Sequence, residues 1–340
     1  MILPVQTLSL EERLTLRRAA RRPAGWSFAE DVRRGLTAQP KVLLPRYFYD
    51  ELGSHLFEAI TALPEYYLTR SEEEILVARA GEIAAGVCAL GGPVRLLELG
   101  SGSGRKTRLL IEALLECQEE LEYLPIDVSE SALRESGLRL LNALPALRVT
   151  AHLGEYHAAL EAIQAAPKGD ERTFALFLGS SLGNLDPEAR NVLLQDLRAA
   201  LRPGDPFLLG LDLKKDESVL LPAYDDALGV TAAFNLNLLQ RINRELGGRF
   251  DLAAFRHQAR YNQEVGRIEM HLESQSRQTV PIRALDLEVP FERGETIFTE
   301  SSYKFDLDQV ATLANATGFE LRKTWTDGEG RFASNLLVAR

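Results

Sequence analysis

The chain has 340 residues, enough for one large domain or two sharing a core, and its 45% apolar and 26% charged residues match an ordinary soluble protein. No apolar run approaches the roughly 20 residues that a membrane span needs, so a membrane protein is not expected. Lys plus Arg number 39 against 49 Asp plus Glu, and the resulting net charge of −10 repels phosphate backbones and argues against a nucleic-acid partner.

The segment MILPVQTLSLEERLTL starts apolar but lacks a basic stretch and a small-residue cleavage site, so no export signal is expected and the cytoplasm is the expected compartment. Arg13, Arg17, Arg18, Arg21, Arg22, Arg33 and Arg34 are interleaved with Glu11, Glu12, Glu30 and Asp31, and with Leu10, Leu14 and Leu16 they read as a solvated helical face. Residues 47–87 are expected to be mostly helical, interrupted at Pro64, with Thr69 or Ser71 as N-cap before a run of glutamates. Strands at 94–99, 121–126, 147–153, 173–180 and 206–213 then alternate with helices at 106–119, 129–143, 156–165 and 187–201. Short apolar strands separated by amphipathic helices predict a doubly wound, mostly parallel α/β sheet. Beyond Lys214 the pattern becomes a helical stretch (217–246), a Gly247-Gly248 break and strand-like segments at 266–274 and 278–289. A helix near 306–317 and strands at 319–327 and 333–340 return to the sheet, with one antiparallel strand expected near its edge. Residues 70–213 plus 304–340 are therefore expected to form the sheet domain, and 1–69 plus 214–303 a second, α+β domain.

Cys88 and Cys117 form no CxxC pair, and His55, His152, His157, His257 and His271 adopt no metal-ligand spacing, so neither a disulfide framework nor a metal site is expected. The sharpest motif is LLELGSGSGRKT (96–107), which sets Glu98, Gly100, Gly102 and Gly104 between a strand and a helix. Glycines at such a turn let the backbone take positive φ and approach a ligand, and the helix N-terminus offers free N–H groups. A dinucleotide fingerprint needs G-x-G-x-x-G, but Arg105 stands where the third glycine belongs. A ligand with an amino-acid tail, such as S-adenosylmethionine (SAM), suits the acidic Glu98 better, since Glu98 can orient the glycines or meet an ammonium. Asp127 follows the next strand, where a carboxylate can take both ribose hydroxyls; Glu155 and Tyr156 follow the third, beside an adenine. GSSLGNLDP (179–187) brings small polar residues and Asn184 to the carboxyl edge of the sheet, where open α/β sheets bind ligands. No Ser-His-Asp or Cys-His set is legible, and methyl transfer from a sulfonium needs none, since positioning and a deprotonated nucleophile suffice.

With these residues in view, the chain resembles the SAM-dependent histidine Nα-methyltransferases of the ergothioneine pathway. The matching blocks are RYFYDELGSHLFEAITALPEYYLTR (46–70), LLELGSGSGRKTRLL (96–110), LFLGSSLGNLDP (176–187), AYDDALGVTAAFNLNLL (223–239), RIEMHL (267–272) and FTESSYKF (298–305). The resemblance implies a class I, Rossmann-like methyltransferase domain with a substrate domain. It implies a monomer that binds SAM, releases S-adenosylhomocysteine, and adds up to three methyls to the α-amine of L-histidine to give hercynine. Gly100, Gly102, Lys106, Asp127, Glu155 and Tyr156, with Glu98, would hold SAM. Tyr66 would stand near donor and acceptor, and Gly179, Asn184 and Tyr224 would hold the amino-acid head group. Tyr49, Met270, Glu300 and Ser302 would line the side-chain pocket, the last two meeting the imidazole nitrogens. Each has an ordinary alternative: Met270 as a strand core residue, Glu300 and Glu155 as solvated carboxylates, Tyr224 as a packing residue, Lys106 as a first-turn lysine. Gly104 and the GEY at 154–156 depart from the family's commoner residues, which bears on donor affinity more than on donor identity. Methylation of another amino acid such as tryptophan, a non-catalytic SAM-binding protein and an NAD-linked dehydrogenase are the alternative readings.

Overall fold

The computed structural model describes residues 10–18, 27–166 and 169–340; Arg21 and Arg22 lie outside them. A single turn α1 (Leu10–Arg13) leads into β1 (Leu14–Arg18), then α2 (Phe28–Thr37), the short β2 (Lys41–Val42), α3 (Glu51–Thr61) and the long α4 (Tyr67–Cys88). Strand and helix then alternate through β3 (Val94–Leu99), α5 (Arg105–Leu115), β4 (Leu121–Asp127), α6 (Glu130–Ala143), β5 (Leu147–Leu153), α7 (Tyr156–Ala165), β6 (Arg172–Phe177), α8 (Pro187–Ala200) and β7 (Pro206–Asp212). Next come α9 (Glu217–Leu220), α10 (Val230–Leu246), β8 (Phe255–Asn262), β9 (Arg267–Ser274), β10 (Gln278–Ile282), β11 (Leu287–Phe291) and β12 (Thr296–Tyr303). They are followed by α11 (Leu307–Ala316), β13 (Phe319–Thr326) and β14 (Phe332–Ala339).

Eight strands form one sheet in the order β1-β5-β4-β3-β6-β7-β14-β13, parallel except for β14, which runs against both neighbours. This is the expected doubly wound sheet. Both faces are buried, as the strand sequences require: Leu96 and Leu176 pack with Leu76, Ile111 and Leu133 of α4 to α6. Their neighbours Leu97, Ala175 and Phe177 pack with Leu160, Leu193 and Val310 on the opposite face. Each fully buried leucine contributes about 1.5–3 kcal/mol. The chain leaves β3 toward β4 and leaves the adjacent β6 toward β7, to opposite sides, which opens the crevice at the carboxyl ends of β3 and β6. A second sheet, β2-β12-β9-β8, and the hairpin β10-β11 pack on α10, which in turn packs on α3, beside that crevice.

The structure departs from the sequence reading at several places. Leu14–Arg18 is a strand paired with β5, so this part of residues 1–69 belongs to the large sheet; the half-buried Leu14 and Leu16 alternate with the exposed Thr15 and Arg17, a period of two and not of a helix. α4 starts at Tyr67 with Tyr66 at the N-cap, and Ser71 is buried inside the helix. α5 stops at Leu115, four residues short of the expected end. The stretch 217–246 is broken at 221–229 by a 3-10 turn and a loop, and 278–289 folds back on itself through a turn at Asp286 (φ 45°). β8 and β12 were not expected as strands; β8 is a polar edge strand whose inward residues are Phe255 and His257.

Candidate active site

One wall of the crevice is built from backbone. β3 ends at Leu99, and Gly100, Gly102 and Gly104 follow with φ of 70°, 47° and 65°. A Cβ on Gly100 would sit 2.7 Å from the Tyr156 hydroxyl, so turn and ring fit only without a side chain. Asp127, at the end of β4, accepts the Gly102 N–H (3.0 Å) on one carboxylate oxygen and the Ser129 N–H (2.9 Å) on the other. Burial pushes its pKa up while these backbone donors oppose the shift. Glu155 precedes α7, lines the crevice and pairs with Arg46 at 2.6 Å, its side chain 59% exposed.

Two residues expected at this wall are elsewhere. Glu98 is buried on the face of β3 toward α5, where it accepts hydrogen bonds from Thr107 (2.7 Å) and Tyr123; it does not reach the cavity. Its role is to tie β3 to α5 and β4, and burial raises its pKa to about 7 against the hydrogen bonds that oppose it. Lys106 does not line the cavity either; beside Gly179, its ammonium forms an ion pair with Glu72 of α4. Glu72 is fully buried and its carboxylate also accepts the Gly179 N–H at 2.8 Å. It was missed, although Leu68, Glu72, Ile75 and Leu76 share one helical stripe, and a glutamate on an apolar stripe is a legible signal.

The other wall is built from side chains. β12 carries a bulge between Phe298 and Glu300, so Thr299 and Glu300 are both buried and the inward parity switches. The bulge brings Glu300 and Ser302 inward opposite Met270 and Ile268 of β9. Asn184, in a 3-10 turn after β6, donates to Glu300 Oε1 at 3.1 Å. Ahead of it, Gly179 and Ser180 hold φ of 72° and 59°, and Ser180 Oγ fixes the turn by accepting the Asp212 N–H at 2.9 Å. Tyr224 ends a 3-10 turn; its carbonyl is 2.8 Å from His257 Nε2 and its hydroxyl 2.8 Å from Ser302. Tyr49, Tyr66, Tyr224 and Phe57 meet edge to face, Tyr66 and Tyr224 with centroids 6.2 Å apart. Burial drives the phenols of Tyr49, Tyr66 and Tyr224 well above their ordinary range, so they serve as neutral donors and acceptors. Burial also raises Glu300 to about 8 against the opposing charge of Lys304, leaving a carboxylic acid able to donate near neutrality.

Between the walls lies a cavity of about 740 Å³. Tyr49, Tyr66, Gly100, Gly102, Asp127, Glu155, Tyr156, Gly179, Asn184, Tyr224, Met270, Glu300 and Ser302 all line it, drawn from segments that span the chain. Phe234, which stacks on Phe48, lines it too and was not anticipated.

Residues 28–339 match the family model described as histidine-specific, SAM-dependent methyltransferase. The chain belongs to that family. It is 43% identical over 332 residues to the histidine N-alpha-methyltransferase of Mycolicibacterium smegmatis, covering 98% of this chain and 99% of the relative. Its identity to the same-named protein of Mycobacterium tuberculosis is 44% over 306 residues, covering 90% and 93%. Ergothioneine biosynthesis protein 1 of Neurospora crassa is 31% identical over 298 residues, which are 85% of this chain and 32% of that one. This histidine-specific methyltransferase is a class I α/β enzyme that uses SAM, and its glycine turn fits that donor. The turn leaves no room for a side chain at Gly100, and Asp127, whose carboxylate accepts the Gly102 and Ser129 N–H groups, lines the cavity. No helix among the described residues is long and apolar enough to cross a membrane.

Proposed function

We propose that the enzyme methylates the α-amine of free L-histidine up to three times, giving hercynine for ergothioneine synthesis, as a cytoplasmic monomer without a nucleic-acid partner. In this reading residues 70–213 and 304–340 carry the donor, and 1–69 with 214–303, β1 excepted, carry the acceptor. The observation that carries it is the pairing of a raised-pKa carboxyl, Glu300, with a hydroxyl, Ser302, on one strand of the cavity wall. A neutral imidazole has one bare nitrogen and one N–H, and these two groups supply one donor and one acceptor. An indole has an N–H and no acceptor and would leave the Glu300 acid unpaired, a cost of about 1–3 kcal/mol.

When bound, SAM supplies an electrophilic methyl on a sulfonium. Gly100 and Gly102 would give the turn its close approach, Asp127 would receive the ribose hydroxyls, and Tyr156 and Glu155 would flank the adenine. Asn184 Oδ1 accepts from the α-amine while its amide N–H₂ stays on Glu300, and Tyr224 donates to the carboxylate with the Gly179 backbone beside it. Tyr66, neutral at all working pH values, orients the amine and excludes water, and Tyr49 and Met270 close the imidazole pocket. Each transfer would require the amine to have given one proton to water, and would exchange the S–C bond of the donor for an N–C bond, with S-adenosylhomocysteine released. Glu98, through Thr107 and Tyr123, braces the glycine turn from behind, and Lys106, through Glu72, braces the Gly179 backbone.

Mass spectrometry of histidine incubated with SAM and the purified protein, with tryptophan in parallel, tests this. Gains of one to three methyls on histidine alone are expected, and methylation of another amine with none on histidine overturns the imidazole assignment.

A further inference from the structure

Behind the head-group wall sits an ammonium that does not itself line the cavity. Lys304 follows β12, two positions from Ser302 and on the same side of the strand, and its side chain is 0% exposed. Its three N–H donors meet three acceptors: Tyr224 Oη at 2.7 Å, Ser302 Oγ at 2.9 Å and Asp212 Oδ2 at 2.7 Å. The donors are used up. Tyr224 and Ser302 therefore each give a lone pair to Lys304, and since they also lie 2.8 Å apart, one donates to the other. Between them a single O–H remains for a ligand.

The far side of the cluster is equally closed. Asp212 is fully buried and also receives the Tyr67 hydroxyl (2.8 Å) and the Lys215 ammonium (2.5 Å), so two cations face one carboxylate. Its backbone is fixed by Ser180 Oγ and by the Phe305 N–H. Tyr224 is thus held at its carbonyl by His257 and at its hydroxyl by Lys304.

We propose that Lys304 is a positioning residue for the amino-acid carboxylate: it fixes the direction of the Tyr224 and Ser302 hydroxyls and places a positive charge directly behind the phenol that meets the anion. This rests on the assignment of Tyr224 to the head group given above. It explains how an anionic carboxylate is recognised at a wall whose lining groups, Tyr224, Asn184 and the Gly179 backbone, are all neutral. The charge is delivered through the phenol, with the amino acid kept off the lysine itself.

The test compares dissociation constants of histidine and histidinamide, which lacks the carboxylate anion, measured by calorimetry with S-adenosylhomocysteine present. Lys304→Met leaves Asp212 with a cation fewer, so the double variant Asp212→Asn/Lys304→Met, which restores the balance, guards against a folding defect. In both, the preference for histidine over histidinamide is expected to fall at least fivefold while S-adenosylhomocysteine affinity stays within twofold. A folded double variant that keeps the wild-type preference overturns the proposal. Tyr224→Phe separates the two readings. If it lowers the preference and the double variant does not, the role of Lys304 fails alone; if it too leaves the preference unchanged, the head-group assignment fails and takes this proposal with it.

Discussion

The two walls of the cavity are made by different means. The donor wall is centred on one strand-turn-helix, in which Gly100, Gly102 and Gly104 use positive φ and Asp127, at the end of the neighbouring β4, clamps the turn through the Gly102 N–H. The acceptor wall takes Tyr66, Asn184, Tyr224, Met270, Glu300 and Ser302 from five separate segments, and its geometry depends on a bulge and a buried polar cluster. A turn made of backbone accepts any ligand of the right shape. A wall of converging side chains selects one, because each buried polar group left unpaired costs free energy.

That contrast can be broken from either side. The largest effect is expected from Glu300→Ala, which leaves a buried imidazole nitrogen unpaired: kcat/KM for histidine should fall roughly 10- to 100-fold, with the SAM dissociation constant within twofold. Equal losses in both would merge the two walls into one site. Gly100→Ala should act in the opposite sense. A Cβ at φ 70° and 2.7 Å from the Tyr156 hydroxyl strains the turn, and SAM affinity should drop about tenfold, read by calorimetry, while a Tyr156→Phe background recovers part of it.

The smallest effect concerns stability and pH. Glu300 is held at about 8, above its ordinary 4.5, so between those values the folded protein keeps a proton that the unfolded chain has lost. Folded stability from this group is therefore lost as pH rises from 4.5 toward 8, and levels off above. Glu300→Gln does not titrate. Its stability margin over the wild type, from urea unfolding, should widen from pH 5 to 8; a constant margin would mean that Glu300 is already ionised in the free enzyme.

The motif at 96–107 and the strand-helix alternation from 94 to 213 declared the large sheet and the glycine turn in the sequence, because both rest on local rules: short apolar strands, buried on both faces, between amphipathic helices, and the freedom of glycine at positive φ. Proximity in sequence did not say where Glu98 and Lys106 point. Side-chain direction there follows from which face of β3 meets α5 and from the buried carboxylate of Glu72, groups brought together only by packing. The arrangement of Glu300, Ser302 and Lys304 likewise followed from the bulge at Thr299, since without the parity switch Glu300 and Ser302 would face away from the cavity. What the sequence by itself determined was the fold and the class of donor, which local patterns encode. What only the tertiary structure decided was which polar groups share a desolvated space, because pKa values, hydroxyl directions and countercharges depend on neighbours far along the chain, 145 positions apart in the case of Tyr67 and Asp212.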